Sequence, residues 1–151
     1  MSLKKVGVFT DDAPTLRPGV YTPAIIANGF VFTSGVLGAD PTTKKIVSGT
    51  VIDRFVRYLN LFSLSLAQAH CIAQHQIMRN LDAILKQANS GLESVVEVTV
   101  FLTNILDADE LSLAYKTYWG DLKPARTCVA VKELPYGSDI ELKCIAVVVG
   151  S

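Results

Sequence analysis

Between Ile72 and Leu102 the chain changes its apolar period once, and that change constrains the fold more than any other feature. Ile77, Leu81, Ile84, Leu85 and Ala88 recur at three- and four-residue steps, an apolar stripe that predicts a helix from Ile72 to Ala88. Asn89-Ser90-Gly91 ends it with residues that accept the left-handed conformation. From Val95 to Leu102 the period drops to two. Val96, Val98, Val100 and Leu102 make a wholly apolar face; Val95, Glu97, Thr99 and Phe101 make a mixed one. The helical stripe should therefore lie on the sheet to which this strand belongs.

Upstream, Val6 to Thr10 is a short β-type run, broken by Asp11-Asp12-Ala13-Pro14. Arg17-Pro18-Gly19-Val20-Tyr21-Thr22-Pro23 is irregular, and Tyr21 in it either covers a loop or faces a site. Ala24 to Ala27 and Phe30 to Ser34 flank Asn28-Gly29, a hairpin signal, since both turn residues tolerate positive φ. Gly35 then reads as a bulge or as a place where backbone approaches a ligand. Gly38 to Lys45 is a polar turn, and Ile46-Val47 a short strand.

Downstream, Asp107 is the expected cap of a second helix, Ala108 to Trp119. Two further strands, Lys123 to Val131 and Asp139 to Ala146, read as a hairpin. Arg126 opens the first and Glu141 sits early in the second, so within one hairpin the two need not touch. An arginine on a rigid strand is a fork for a planar anion; the structural alternative is an interface ion pair with Glu141. The order β-β-β-α-β-α-β-β predicts an α+β two-layer sandwich, a mixed six-stranded sheet with two helices on one face. The uncovered face also carries apolar residues, so oligomerisation through it is expected.

A chain of 151 residues, half of them hydrophobic, is expected to form one domain with a sizeable core. Its zero formal charge lacks the basic footprint of a nucleic-acid binder. Cys71, Cys128 and Cys144 are odd in number and match no zinc spacing, which suits a reducing compartment. His70 and His75 lack ligand-spaced companions. Met1 to Asp12 shows no signal or transit pattern, and no run of about 18 apolar residues suggests a membrane span. A cytoplasmic protein is expected, with the mitochondrial matrix as the alternative.

Lys123-Pro124-Ala125-Arg126-Thr127-Cys128-Val129-Ala130-Val131, then Leu134-Pro135 and Ile140-Glu141-Leu142 to Ile145-Ala146, resemble the C-terminal signature of the Rid family. These are reactive-intermediate (enamine/imine) deaminases, once called the L-PSP endoribonuclease family. Asn80 to Leu85, Val95 to Leu102, Phe32-Thr33-Ser34-Gly35 and Gly19-Val20-Tyr21 resemble its central helix, strand and N-terminal site segments. The resemblance implies a chorismate-mutase-like fold and a homotrimer with clefts between subunits. It implies hydrolysis of 2-imino acids to 2-oxo acids and ammonia, with no metal or organic cofactor. Arg126 would grip the substrate carboxylate and Glu141 would hold and activate water. Tyr21 would wall the cleft, and Ser34, Gly35, Ser112 and Cys128 would supply contacts. A non-catalytic, chaperone-like or small-carboxylate-binding trimer and an endoribonuclease acting on single-stranded RNA are the competing functions. Neutral charge and the lack of an aromatic stacking run count against the last.

The chain departs from the family in several places. Ser112 stands where asparagine is frequent. Lys143, two residues from Glu141, could pair with it and lower its basicity. Thr22-Pro23 replaces a small residue after the tyrosine, a mild change. Residues 55–74 are the largest departure, an apolar insertion before the first helix without Gly or Pro. Our hypothesis is that they are translated non-coding sequence, such as an in-frame retained intron; an uninterrupted gene carrying them in every mature transcript would end that idea. The structural alternative is an N-terminal extension of the helix that packs on a neighbour.

Overall fold

The computed structural model describes residues 4–48 and 76–150. The 55–74 insertion, residues 72–75 of the expected helix, Cys71, His70 and His75 lie outside the described residues. In chain order the elements are β1 (Val6–Val8), β2 (Ala24–Ala27), β3 (Phe30–Thr33), β4 (Val36–Leu37) and α1 (Gln76–Gln87). Then follow β5 (Val95–Leu102), α2 (Ala108–Tyr115), β6 (Ala125–Ala130) and β7 (Ile140–Val147). They form an α+β fold with one mixed sheet, ordered β1-β2-β3-β7-β5-β6, and β4 pairs with β7.

Local chemistry explains the ends of these elements. Asn28 and Gly29 both take positive φ, 50° and 77°, and join β2 to β3 as their sequence predicts. Asn89 takes φ 51° and stops α1. There Ser90 N donates to Leu85 O at 2.9 Å and Asn89 N to Lys86 O at 3.1 Å, the paired bonds of a Schellman ending. The cap of α2 differs from expectation. A 3-10 turn, Ile105–Asp107, precedes the helix, so Asp107 already has helical φ/ψ and its side chain caps nothing. Asn104, in extended conformation, accepts from Leu106 N instead.

The core packs α1 and α2 on one face of the sheet. Ile77, Leu81, Ile84 and Leu85 of α1 and Leu111 and Tyr115 of α2 join Val98, Val100, Leu142 and Cys144 in one buried cluster. The predicted apolar face of β5 needs one correction. A β-bulge leaves Val96 without a partner between Val95 and Glu97, which exposes Val96 and buries Val95. Beyond it, Val98, Val100 and Leu102 face the core as expected.

A second irregularity gives the sheet seven strands where six were expected. Phe32 pairs with Ile145 and Val36 with Leu142, so four steps along β3–β4 span three along β7. The extra residue falls at Ser34-Gly35, a bulge that splits one run into β3 and β4. Thr33 Oγ1 accepts from Cys144 N at 2.9 Å where the backbone ladder breaks. Ile46-Val47 forms no strand of the sheet; an isolated antiparallel bridge joins Ala39 to Ile46, and Val47 N donates to Gly38 O at 2.9 Å.

The last two strands are not a hairpin. β6 runs parallel to β5, β7 antiparallel to it, and β5 lies between them. Both β6 and β7 pair with the apolar β5, and α2 carries the chain over to the parallel partner.

Candidate functional site

Arg126 on β6 stands opposite Val98, which stands opposite Cys144 of β7; Val98 and Cys144 are buried beneath the helices. The pleat thus turns Arg126 and Cys128 toward the helix layer. There Arg126 Nη1 donates to Ser112 Oγ at 2.8 Å, and the Ser112 hydroxyl donates to Ala108 O at 2.6 Å. The guanidinium carbon lies 4.5 Å from the centroid of the Tyr115 ring. Burial pushes the Tyr115 phenol up to about 12, against the pull of Arg126, so the ring stays neutral beneath the cation. Ser112 takes one hydrogen bond from the arginine, and α2 holds both supports.

Glu141 belongs to the other face. It stands opposite Phe101, and Phe101 opposite Val129, one pleat out of step with Arg126. In one chain Arg126 and Glu141 therefore project from opposite faces of the same sheet.

Glu141 lines a cavity of about 340 Å³ together with Tyr21, Ser34, Gly35, Arg17 and Tyr136. Arg126, Ser112 and Cys128 are not among its lining residues. Ser34 Oγ donates to Thr22 O at 2.7 Å and Ser34 N to Pro23 O at 2.8 Å, so the bulge is tied to the Tyr21 loop. Tyr21 Oη accepts from Leu16 N at 3.3 Å. A Cβ at Gly35 would collide with the Glu141 carboxylate. The bulge reading of this glycine holds, and its bare backbone lets the Glu141 side chain approach.

Burial raises the Glu141 carboxyl above its ordinary value. The expected effect of Lys143 is absent. Lys143 is exposed on the same face, no ion pair joins the two among the described residues, and burial alone accounts for the shift. Cys144 is a core thiol, pushed up to about 12 chiefly by burial. Among the described residues no three of His, Cys, Asp and Glu converge as metal ligands.

The residues expected at the site thus fall into two groups: Tyr21, Ser34, Gly35 and Glu141 around one cavity, and Arg126, Ser112 and Cys128 at the β6–α2 edge. Sequence reading missed Asn80. Its amide donates to Leu37 O at 3.0 Å and Ala39 O at 2.8 Å and tethers α1 to β4 behind the cavity. An amide three residues after Ile77, on the apolar stripe, was the signal for it.

The Endoribonuclease L-PSP family profile matches residues 72–148. The chain belongs to the Rid family. A RutC family protein of Aquifex aeolicus is 37% identical over 142 residues, covering 93% of this chain and 97% of that one. The 2-iminobutanoate/2-iminopropanoate deaminase of Rattus norvegicus is 32% identical over 145 residues, covering 96% and 90%. The crystal structure of yeast Mmf1 superimposes with a TM-score of 0.78 at 30% identity, covering 95% of this chain and 98% of that one. This Rid chain has the two-helix, mixed-sheet architecture of its structural relatives.

Proposed function

We propose that this chain hydrolyses reactive 2-imino acids and their enamine tautomers to 2-oxo acids and ammonia, in a homotrimer whose sites lie between subunits. The observation that carries the reading is Glu141: a half-buried carboxyl on a small cavity, raised above its ordinary value by burial, with no ion-pair partner among the described residues. Such a group is a general base rather than a structural ion-pair partner. The deaminase name of the rat relative supports the reaction class. Partly exposed Phe30, Phe32, Val129 and Val147, on the face away from the helices, support association through that face.

The Arg126 fork takes the substrate carboxylate and fixes the C=N carbon. Glu141 of the neighbouring subunit holds a water against that carbon and accepts its proton as the C–O bond forms. The proton passes to nitrogen, the C–N bond breaks, and the carbinolamine hydroxyl gives up its proton. One iminium and one water give one 2-oxo acid and one ammonium.

The test generates 2-iminobutanoate in situ from threonine and a dehydratase. Wild-type protein should speed the appearance of 2-oxobutanoate, and Arg126→Ala should abolish the gain. No acceleration by folded protein would leave the family's binding role in its place.

A further inference from the structure

Two side chains on the Glu141 cavity have no part in that reaction: Arg17 and Tyr136. They lie 119 positions apart in the chain, yet Arg17 Nε donates to Tyr136 Oη at 3.2 Å. The Arg17 guanidinium carbon is 5.8 Å from the Tyr136 ring centroid. Tyr136 Oη donates in turn to Leu16 O at 3.3 Å. Tyr136 holds this position at φ 59°, a conformation that costs a bulky side chain energy unless its surroundings hold it there. The contacts made by its hydroxyl and ring supply that hold. Among the described residues no carboxylate pairs with Arg17, so both its Nη groups remain for a ligand.

The charges on the cavity point to the class of that ligand. Arg17 and Glu141 are the charged residues of its lining, and every other lining residue is neutral. A substrate with one carboxylate is matched by Arg126. A second carboxylate would enter beside Glu141 and be repelled, unless a further cation offset it. Arg17 is that cation, and about 340 Å³ is more room than a three- or four-carbon acid needs.

We propose that Arg17, clamped on Tyr136, binds a side-chain carboxylate and opens the site to dicarboxylic 2-imino acids such as 2-iminoglutarate. The inference rests on the imine-deaminase reading above. It makes Arg17 a specificity-determining residue, separate from the arginine that anchors every substrate.

The full-length protein is assayed on 2-iminobutanoate, made from threonine, and on 2-iminoglutarate, made from D-glutamate by an amino-acid oxidase. Surviving imine is read by semicarbazide capture. Wild type should accelerate both hydrolyses. Arg17→Ala should lower kcat/KM for 2-iminoglutarate about 10–100-fold more than for 2-iminobutanoate, through KM, and Arg17→Lys should recover part of the loss. Equal losses on both substrates, a loss confined to kcat, or a wild type that processes only 2-iminobutanoate would overturn the proposal. If wild type processes neither, the deaminase reading has failed, and titration with 2-oxoglutarate and 2-oxobutanoate still decides the role of Arg17. An Arg17-dependent preference for the dicarboxylate supports it, and the lack of one overturns it.

Discussion

Burial raises the Glu141 carboxyl, and the sign of that shift is readable in stability as well as in rate. A carboxyl raised in the folded state binds its proton more tightly there than in the unfolded chain. Stability therefore falls as pH rises from the unfolded value through the folded one, and the penalty persists at neutral pH. Glu141→Gln removes the charge. It should abolish turnover yet leave the protein at least as stable as wild type at pH 7, with the difference closing in acid; urea unfolding across pH checks this. The activity of wild type should fall in acid at a pH higher than an ordinary glutamate would set. On the arginine side, Ser112→Ala deletes the acceptor of Arg126 Nη1. It should raise KM about tenfold, and Ser112→Asn should restore much of the loss. Arg126 and Glu141 stand out as single residues because each is a charge set in an apolar strand, while the roles expected of them come from the family resemblance. Arg17 and Tyr136 were not, since their meaning lies in a contact that no local pattern records.

At the scale of elements, α1 carries both the core stripe and the Asn80 tether. Leu81→Ala should cost about 2–5 kcal/mol by leaving a cavity under the sheet. Asn80→Ala should cost about 1–3 kcal/mol, because the Leu37 and Ala39 carbonyls lose their donor. Thermal unfolding together with KM separates the two variants: the first should lose only stability, while the second should also disturb β4 and so raise KM. The Asn28-Gly29 hairpin and the α1 ending were legible because residue type dictates φ there. The bulge at Val96 was not: an eight-residue strand of period two looks the same in sequence with or without one unpaired residue. The placing of β5 between β6 and β7 was likewise hidden. Neighbours in sequence read as a hairpin until the apolar strand that pairs with both is seen between them.

For the whole molecule, the opposed faces of Arg126 and Glu141 give the proposed trimer a sharp test. Arg126→Ala and Glu141→Gln should each be inactive alone. Unfolded together in equal amounts and reassembled, they should regain activity at roughly a quarter of the sites, where a sound arginine meets a sound glutamate across an interface. Recovery of nothing from mixed, correctly sized assemblies would place both residues in one subunit's site.

The proposed arrangement would also make activity a matter of mass action. In the proposed trimer a single chain, fully folded, would carry two incomplete halves, so output per chain should fall on dilution while the fold stays intact. Under the proposed reaction, this would tie the onset of function to how many copies the surroundings contain. Assembly, rather than folding, would be the last step of maturation.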